Sequence, residues 1–367
     1  MYRLKWALLV IIITMPVFQS QTTLQAANTG LIDNVRRKTV LNEQDKKVID
    51  DFIRDSIDGL VNDNDFTSIA KYRDAITSRK DSSQVQYVDQ FQESTINYIT
   101  KAFETAKNIK PALNQAIVTT NLLILIDKLE NVKLVILAKN KLDDDNSIVR
   151  YWAVKCLANP VIIEQLNSGQ APNPTLPEEI TKKLISIVPK SSVESLDMIA
   201  RYAVSINVQQ GKELLIKIAD QRIATYASWS VKHEYEDGDI LKILENAISE
   251  SKDKTDIPAI AQRFAQLYSY IIQRYIKGET FLNAVQKFHL ESIIIETEDK
   301  CIRNMVGAQQ DFKKAIETKQ LNTLMSYHDK LLGSNATRGE MPEKYNFNYG
   351  TNEDGSIRNA PLTLSNP

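Results

Sequence analysis

From Leu41 onward, apolar residues recur at spacings of three and four instead of alternating, which is the period of a helix with one buried face. Val48, Phe52, Ile53, Ile57, Leu60 and Val61 form a first stripe, closed by the polar run at 62–65. Ile69, Tyr72, Arg73 and Ile76 form a second, and Val85, Val88, Phe91, Ile96, Ile99, Ala102 and Phe103 a third, longer one. Pro111 opens the next helix at a position where its missing N–H costs nothing. The stretch 114–129 is apolar on several faces, so it belongs in the middle of the packing. The same reading places helices across 131–142, 147–157, 180–188, 196–204, 209–235, 239–251, 257–277, 281–306, 308–318 and 320–332. No alternating stretch of any length interrupts them. The expected fold class is all-α, an array of about fourteen helices.

Composition agrees with long helices and few turns. Gly and Pro number 11 each in 367 residues, well below average usage of about 7% and 5%. Where these residues do cluster, they divide the chain. A proline-rich loop at 167–179 separates an N-terminal array at 41–166 from a C-terminal one at 180–332. A polar lead-in occupies 27–40. From Gly333 to the end, glycine, asparagine and proline predict a tail that is disordered or lies extended over the body, with Tyr345, Phe347 and Tyr349 available to dock it.

The net charge of -1 offers no attraction to nucleic acid. Arg36, Arg37 and Lys38 are a short run beside acidic residues and read as solvated surface. The first 26 residues have the pattern of a secretory signal: Arg3 and Lys5, an apolar stretch from Ala7 to Met15, Pro16, then small residues for cleavage near Ser20 or Ala26. The apolar stretch is shorter than the about 20 residues that span a bilayer. The expectation is a periplasmic or secreted protein with no transmembrane segment after cleavage, with an uncleaved anchor as the alternative. Cys156 and Cys301 both sit in apolar helical patterns, where buried free thiols are expected instead of a bridge.

Residues 134–157 read LVILAKNKLDDDNSIVRYWAVKCL: a helix, an aspartate-rich turn and a second helix. Asp145 or Asn146 is placed to accept from the first free N–H groups of the second helix. Ile148, Val149, Trp152, Ala153, Cys156 and Leu157 fall on one face, with Ala153 allowing close approach of a paired helix. The segment resembles a HEAT-like, armadillo-type helical repeat over 131–158. The matching positions are Leu134, Leu137, Leu142, Asp144, Asn146, Val149, Arg150, Ala153 and Leu157. A fainter copy at 180–206 carries Arg201, Tyr202, Ala203 and Val204 where the first has Arg150 to Val154. The offset of about 50 residues exceeds the usual 40–47, which the proline-rich loop would explain. The resemblance implies that Arg150 reaches Asp144 or a neighbouring repeat. It also implies a right-handed α-solenoid of helical hairpins with an extended face for docking other proteins.

Chemistry-bearing patterns are sparse. The run Asp143 to Asp145 lacks the glycine and glutamate of a calcium loop, since Ile148 and Val154 occupy those positions. His233, His289 and His328 have no second ligand at metal spacing. The acidic clusters at 233–239 and 296–300 read as solvated helix ends. No catalytic, cofactor or metal residue is nominated. Two aromatic stripes, Tyr226, Trp229 and His233, then Phe264, Tyr268, Ile271 and Tyr275, are expected to be core, with a peptide- or glycan-binding face through Tyr226, Trp229, Phe264, Tyr268 and Tyr275 as the alternative. The expected function is a non-catalytic, protein-binding scaffold or adaptor in the cell envelope. A structural subunit of an envelope complex and an enzyme with a site assembled from distant residues are the alternatives.

Overall fold

A computed structural model describes residues 29–251, 254–307 and 310–366. The leader at 1–26, with its expected signal, lies outside the described residues. The chain opens with α1 (Thr29–Val35) and continues as helical hairpins: α2 (Glu43–Asn62) with α3 (Phe66–Thr77), α4 (Val85–Ala106) with α5 (Ala112–Leu129), and α6 (Val135–Lys139) with α7 (Ser147–Leu157). After a single short helix, α8 (Pro160–Asn167), come α9 (Leu176–Ile187), α10 (Val193–Ser205), α11 (Gln210–Ala227), α12 (Glu236–Ser249), α13 (Ile257–Lys277) and α14 (Ala284–Thr297), with α10 packed on α11, α12 on α13 and α13 on α14. A π-helical stretch (Glu298–Ile302), α15 (Arg303–Val306), α16 (Asp311–Glu317), α17 (Leu321–Leu332) and α18 (Glu340–Lys344) follow. The fold is all-α; among the described residues the only extended pairing is an isolated bridge between Thr351 and Ile357.

The hairpins stack in two layers. The second helices α3, α5, α7, α10, α12 and α14 each pack on the next in that order, while among the first helices α2 packs on α4, and α9, α11 and α13 pack in succession. Neighbours in the stack are neighbours in sequence, which is the organisation of a helical repeat array. Local chemistry starts these helices where they start. Asn42 and Asp45 close a capping box on α2, and Asn283 and Gln286 close another on α14. Asp65, Asn146 and Ser192 accept from the first amides of α3, α7 and α10.

The stretch 131–158 shows how far the repeat reading holds. Asn146 accepts from the amides of Ile148 at 2.9 Å and Val149 at 3.3 Å, and Asp144 accepts from the amide of Asn146 at 3.1 Å. Val149, Ala153, Cys156 and Leu157 are buried against α5, and Leu134 and Leu142 are buried in the turn before them. Three details differ. Ile148 is 59% exposed, because the second residue of α7 lies at the rim of its layer. Trp152 is half-buried, with the Lys155 ammonium 4.3 Å from its ring centre. Arg150 does reach the turn, but it donates to the backbone oxygens of Asp144 and Asp145, at 2.7 and 2.9 Å, and not to a carboxylate. Arg201, its counterpart in the fainter copy, instead pairs with Asp197 at 3.0 Å and with Asp239 of the next hairpin at 3.3 Å. The long offset between the copies comes from α8 as well as from the loop, which narrows to 168–175 because α9 begins at Leu176.

Both cysteines are free and buried. The Cys156 thiol donates to the Leu123 oxygen at 3.1 Å. The tail from Gly333 is laid on the body: the Tyr349 hydroxyl donates to the Leu332 oxygen at 2.8 Å, that of Tyr345 to the Met305 oxygen at 3.1 Å, and Phe347 is buried. Among the described residues no helix is long and apolar enough to cross a membrane.

Candidate binding face

Two grooves open between helices of the second layer. The first lies where α3, α5 and α7 begin. Phe66, Leu113 and Ile148 stand at or next to those starts and are 66%, 67% and 59% exposed. They rim a groove of about 280 Å³ floored by Ala116 and Ile117. Arg73 and Asn121 form its polar end, where the guanidinium donates to the Asn121 side-chain oxygen. Burial pulls the Arg73 pKa down, because no carboxylate faces it closely enough to offset the loss of water.

The second groove, of about 350 Å³, runs between α12 and α14. Its aromatic side is Tyr235, Phe288 and His289, with ring centres 5.8 Å apart for Tyr235 and His289 and 6.2 Å apart for Phe288 and His289. Its walls carry both signs of charge: Asp239 and Glu296, Lys242 and Lys300. Lys300 pairs with Glu296 at 2.7 Å. Val285 and Phe288 on α14, 62% and 65% exposed, and Phe281 in the turn just before it, 67% exposed, add further apolar surface.

A buried polar frame fixes this second groove. α11 ends at Ala227, short of the 235 expected from periodicity, and the connection to α12 holds Trp229 and His233 at φ of 59° and 56°. Such left-handed backbone is disfavoured for these side chains and needs surrounding bonds to hold it. The bonds come from the acidic cluster at 233–239, which is solvated only in part: Asp239 is exposed, as its sequence suggested, but Glu234 and Asp237 are buried. Asp237 is fully buried and accepts from Arg222 at 2.7 and 2.8 Å and from the Tyr226 hydroxyl at 2.8 Å. Glu234, also buried, accepts from Arg274 at 2.9 Å. Burial pushes the Asp237 carboxyl up, against the opposing pull of Arg222. These ties set the first turn of α12 and leave Tyr235 facing outward between them, 54% exposed at the groove mouth.

The cluster at 296–300 divides in the same way. Glu296 and Lys300 are surface, but Glu298 is fully buried and accepts from the amides of Phe312 and Lys313, both at 2.9 Å, closing the start of α16. Burial pushes its carboxyl up.

The aromatic residues nominated from the sequence lie in neither groove. Tyr226, Phe264 and Tyr268 have no exposed surface and Tyr275 is 9% exposed. The hydroxyls of Tyr268 and Tyr275 are spent on the Ile294 oxygen at 3.1 Å and on Glu291 at 2.8 Å. Trp229 is half-buried under the Arg274 guanidinium, 5.2 Å from its ring. These five residues are braces of the body, so a partner cannot touch the buried ones directly. Val285 and Phe288 were legible only as helical positions, and Phe281, expected to open that helix, lies in the turn before it. The one available signal was a second apolar stripe on α14 beside Leu290, Ile293 and Ile294.

The Cys301 thiol at the floor of the second groove is pushed up to about 12 by burial, which keeps it from being a nucleophile at neutral pH. His328 is buried away from both grooves, bonded to Ser269 at 2.7 Å and Asp329 at 2.9 Å. Among the described residues no three His, Cys, Asp or Glu side chains are placed to hold a metal ion. The chain matches no protein-family model and no curated protein.

Proposed function

We propose that the chain is an exported, non-catalytic scaffold that holds a protein partner on the outer surface of its second helical layer, with the groove between α12 and α14 as the main contact. The observation that carries this is the exposed run Tyr235, Phe281, Val285 and Phe288, with Tyr235 held from below by the buried pairs of Arg222 with Asp237 and Arg274 with Glu234. Large aromatic side chains held rigidly at the surface lose little freedom on binding and supply most of the energy of typical interfaces. The mixed charges of Asp239, Lys242, Glu296 and Lys300 form a polar rim that selects the partner's charge pattern. The reading includes a right-handed, HEAT-like superhelix working in the periplasm or outside the cell, supported by the stacked hairpins and by the leader's pattern.

The test is a Phe281→Ala, Phe288→Ala double variant of the tagged full-length chain, compared with wild type by quantitative mass spectrometry of proteins crosslinked in the envelope fraction. Both side chains are two-thirds exposed, so the thermal midpoint should hold. A specific partner should drop at least tenfold. Recovery of the same partners in the same amounts would defeat the reading.

A further inference from the structure

Four polar side chains lie on one stripe of α13: Gln262, Gln266, Gln273 and Lys277. All four reach main-chain atoms of the segment that follows residue 347. Gln262 donates to the Asn348 oxygen at 2.8 Å. Gln266 accepts from the Leu362 amide at 2.7 Å and donates to the Leu362 oxygen at 3.3 Å. Gln273 accepts from the Leu364 amide at 2.7 Å and donates to the Leu362 oxygen at 3.1 Å, and Lys277 donates to the Leu364 oxygen. From the neighbouring turn, the Trp229 indole donates to the Ser365 oxygen at 2.9 Å.

Paired donors and acceptors aimed at consecutive backbone groups read an extended polypeptide whatever its side chains are. Gln273 is also held from behind, donating to the Ser269 hydroxyl at 2.8 Å, which in turn is bonded to His328. Gln266 and Gln273 are buried, so their amides need these partners. Side-chain selectivity is slight. Within 361–366 only Pro361 and Leu364 are buried, three residues apart, the repeat of a polyproline-type strand. Those residues belong to no helix or strand, and α13 satisfies its own backbone without them.

We infer that this stripe of α13 is a receptor for an extended, uncharged peptide with apolar residues three apart, that the chain's own segment at 361–366 is its resident occupant, and that a partner's segment of the same pattern takes its place. The site lies on a first-layer helix and is independent of the grooves proposed above. Tethering keeps the local concentration of the resident segment high, so the site is latent until that segment is unseated.

A fluorescent peptide with the sequence of residues 359–366 tests this by polarisation against the full-length chain. Leu364→Asp in the protein unseats the resident segment without touching α13. That variant should bind the peptide at least tenfold more tightly than wild type. Adding Gln273→Ala to it should abolish binding, as should an aspartate in the peptide at the position matching Leu364. A folded Leu364→Asp chain that ignores the peptide, or binding indifferent to Gln273→Ala, would overturn the receptor. If Leu364→Asp does not fold, hydrogen exchange on wild type decides: amides of Leu362 and Leu364 should exchange at least a hundredfold faster than those in the centre of α13. Equal rates would make the segment a permanent part of the body and overturn the inference.

Discussion

The hairpins before α8 and those after α10 solve the same packing problem with different materials. In α2 to α7 the buried side chains are apolar or small and neutral, Asp45 being the buried charge there, and the ion pairs, such as Lys47 with Asp51 and Lys107 with Glu104, lie on the surface. From α11 onward, Arg222 with Asp237 and Arg274 with Glu234 form buried ion pairs, and the buried Glu298 accepts from two backbone amides. The difference follows what each region has to specify. A hairpin between two regular helices needs a hydrophobic stripe, a cap and a polar turn. The link at 228–235 and the start of α16 depart from regular helix, and there only directional bonds select one conformation.

The largest test of that contrast is Arg222→Leu. It leaves the buried Asp237 carboxylate with only the Tyr226 hydroxyl as donor, and one-sided loss of a buried pair costs about 3–5 kcal/mol. Chemical denaturation should show this loss, whereas Arg54→Ala, which removes exposed pairs with Asp51 and Asp55, should stay within about 1 kcal/mol. Equal effects would erase the distinction. Next comes Asn146→Ala, which removes the cap of α7 and should lower stability by about 1 kcal/mol in the same measurement; the small size is the point, because a stripe holds that helix more than any single bond does.

Acid sharpens the comparison with the smallest effect. Hydrogen bonds from Arg79, Lys38 and Ser68 hold Asp33, Asp45 and Asp65 below the usual carboxylate range. Their contribution is complete above the unfolded value of 3.8 and is lost as pH falls through their lower folded values. Glu298, raised by burial, has the opposite sign: its penalty grows as pH rises through and above 4.5 and is relieved in acid. Exchange protection, corrected for intrinsic rates, should therefore fall more in α2 and α3 than around Glu298 between pH 6 and pH 3. The reverse order would contradict the carboxylate assignments.

How much of this was legible depended on how far each residue's partner lies along the chain. The cap at Asn146 and the buried face of Val149, Ala153 and Leu157 were readable because period and cap chemistry act within one helix. Ile148 was not, since the period assigns a side of the helix but not whether that side reaches the rim of the layer. The acidic run at 233–239 looked solvated because its deepest partner, Arg274, arrives 40 residues after Glu234. The stripe Phe264, Tyr268, Ile271 and Tyr275 does lie on one helix, whereas α11 ends at Ala227 and leaves Trp229 and His233 of the other stripe in the link; only the stacking of α11, α12, α13 and α14 shows that Tyr226, Phe264 and Tyr268 face inward. The tail was readable as extended or disordered, and the α13 glutamines that settle it lie far upstream.

That distance has a consequence for how the protein is made. Each early hairpin can finish its contacts soon after emerging from the ribosome, since the helix it packs on has just been synthesised. Gln266 cannot, because Leu362 is 96 residues away. While those residues are being added, α13 presents an open row of amides that no later part of the chain has yet covered.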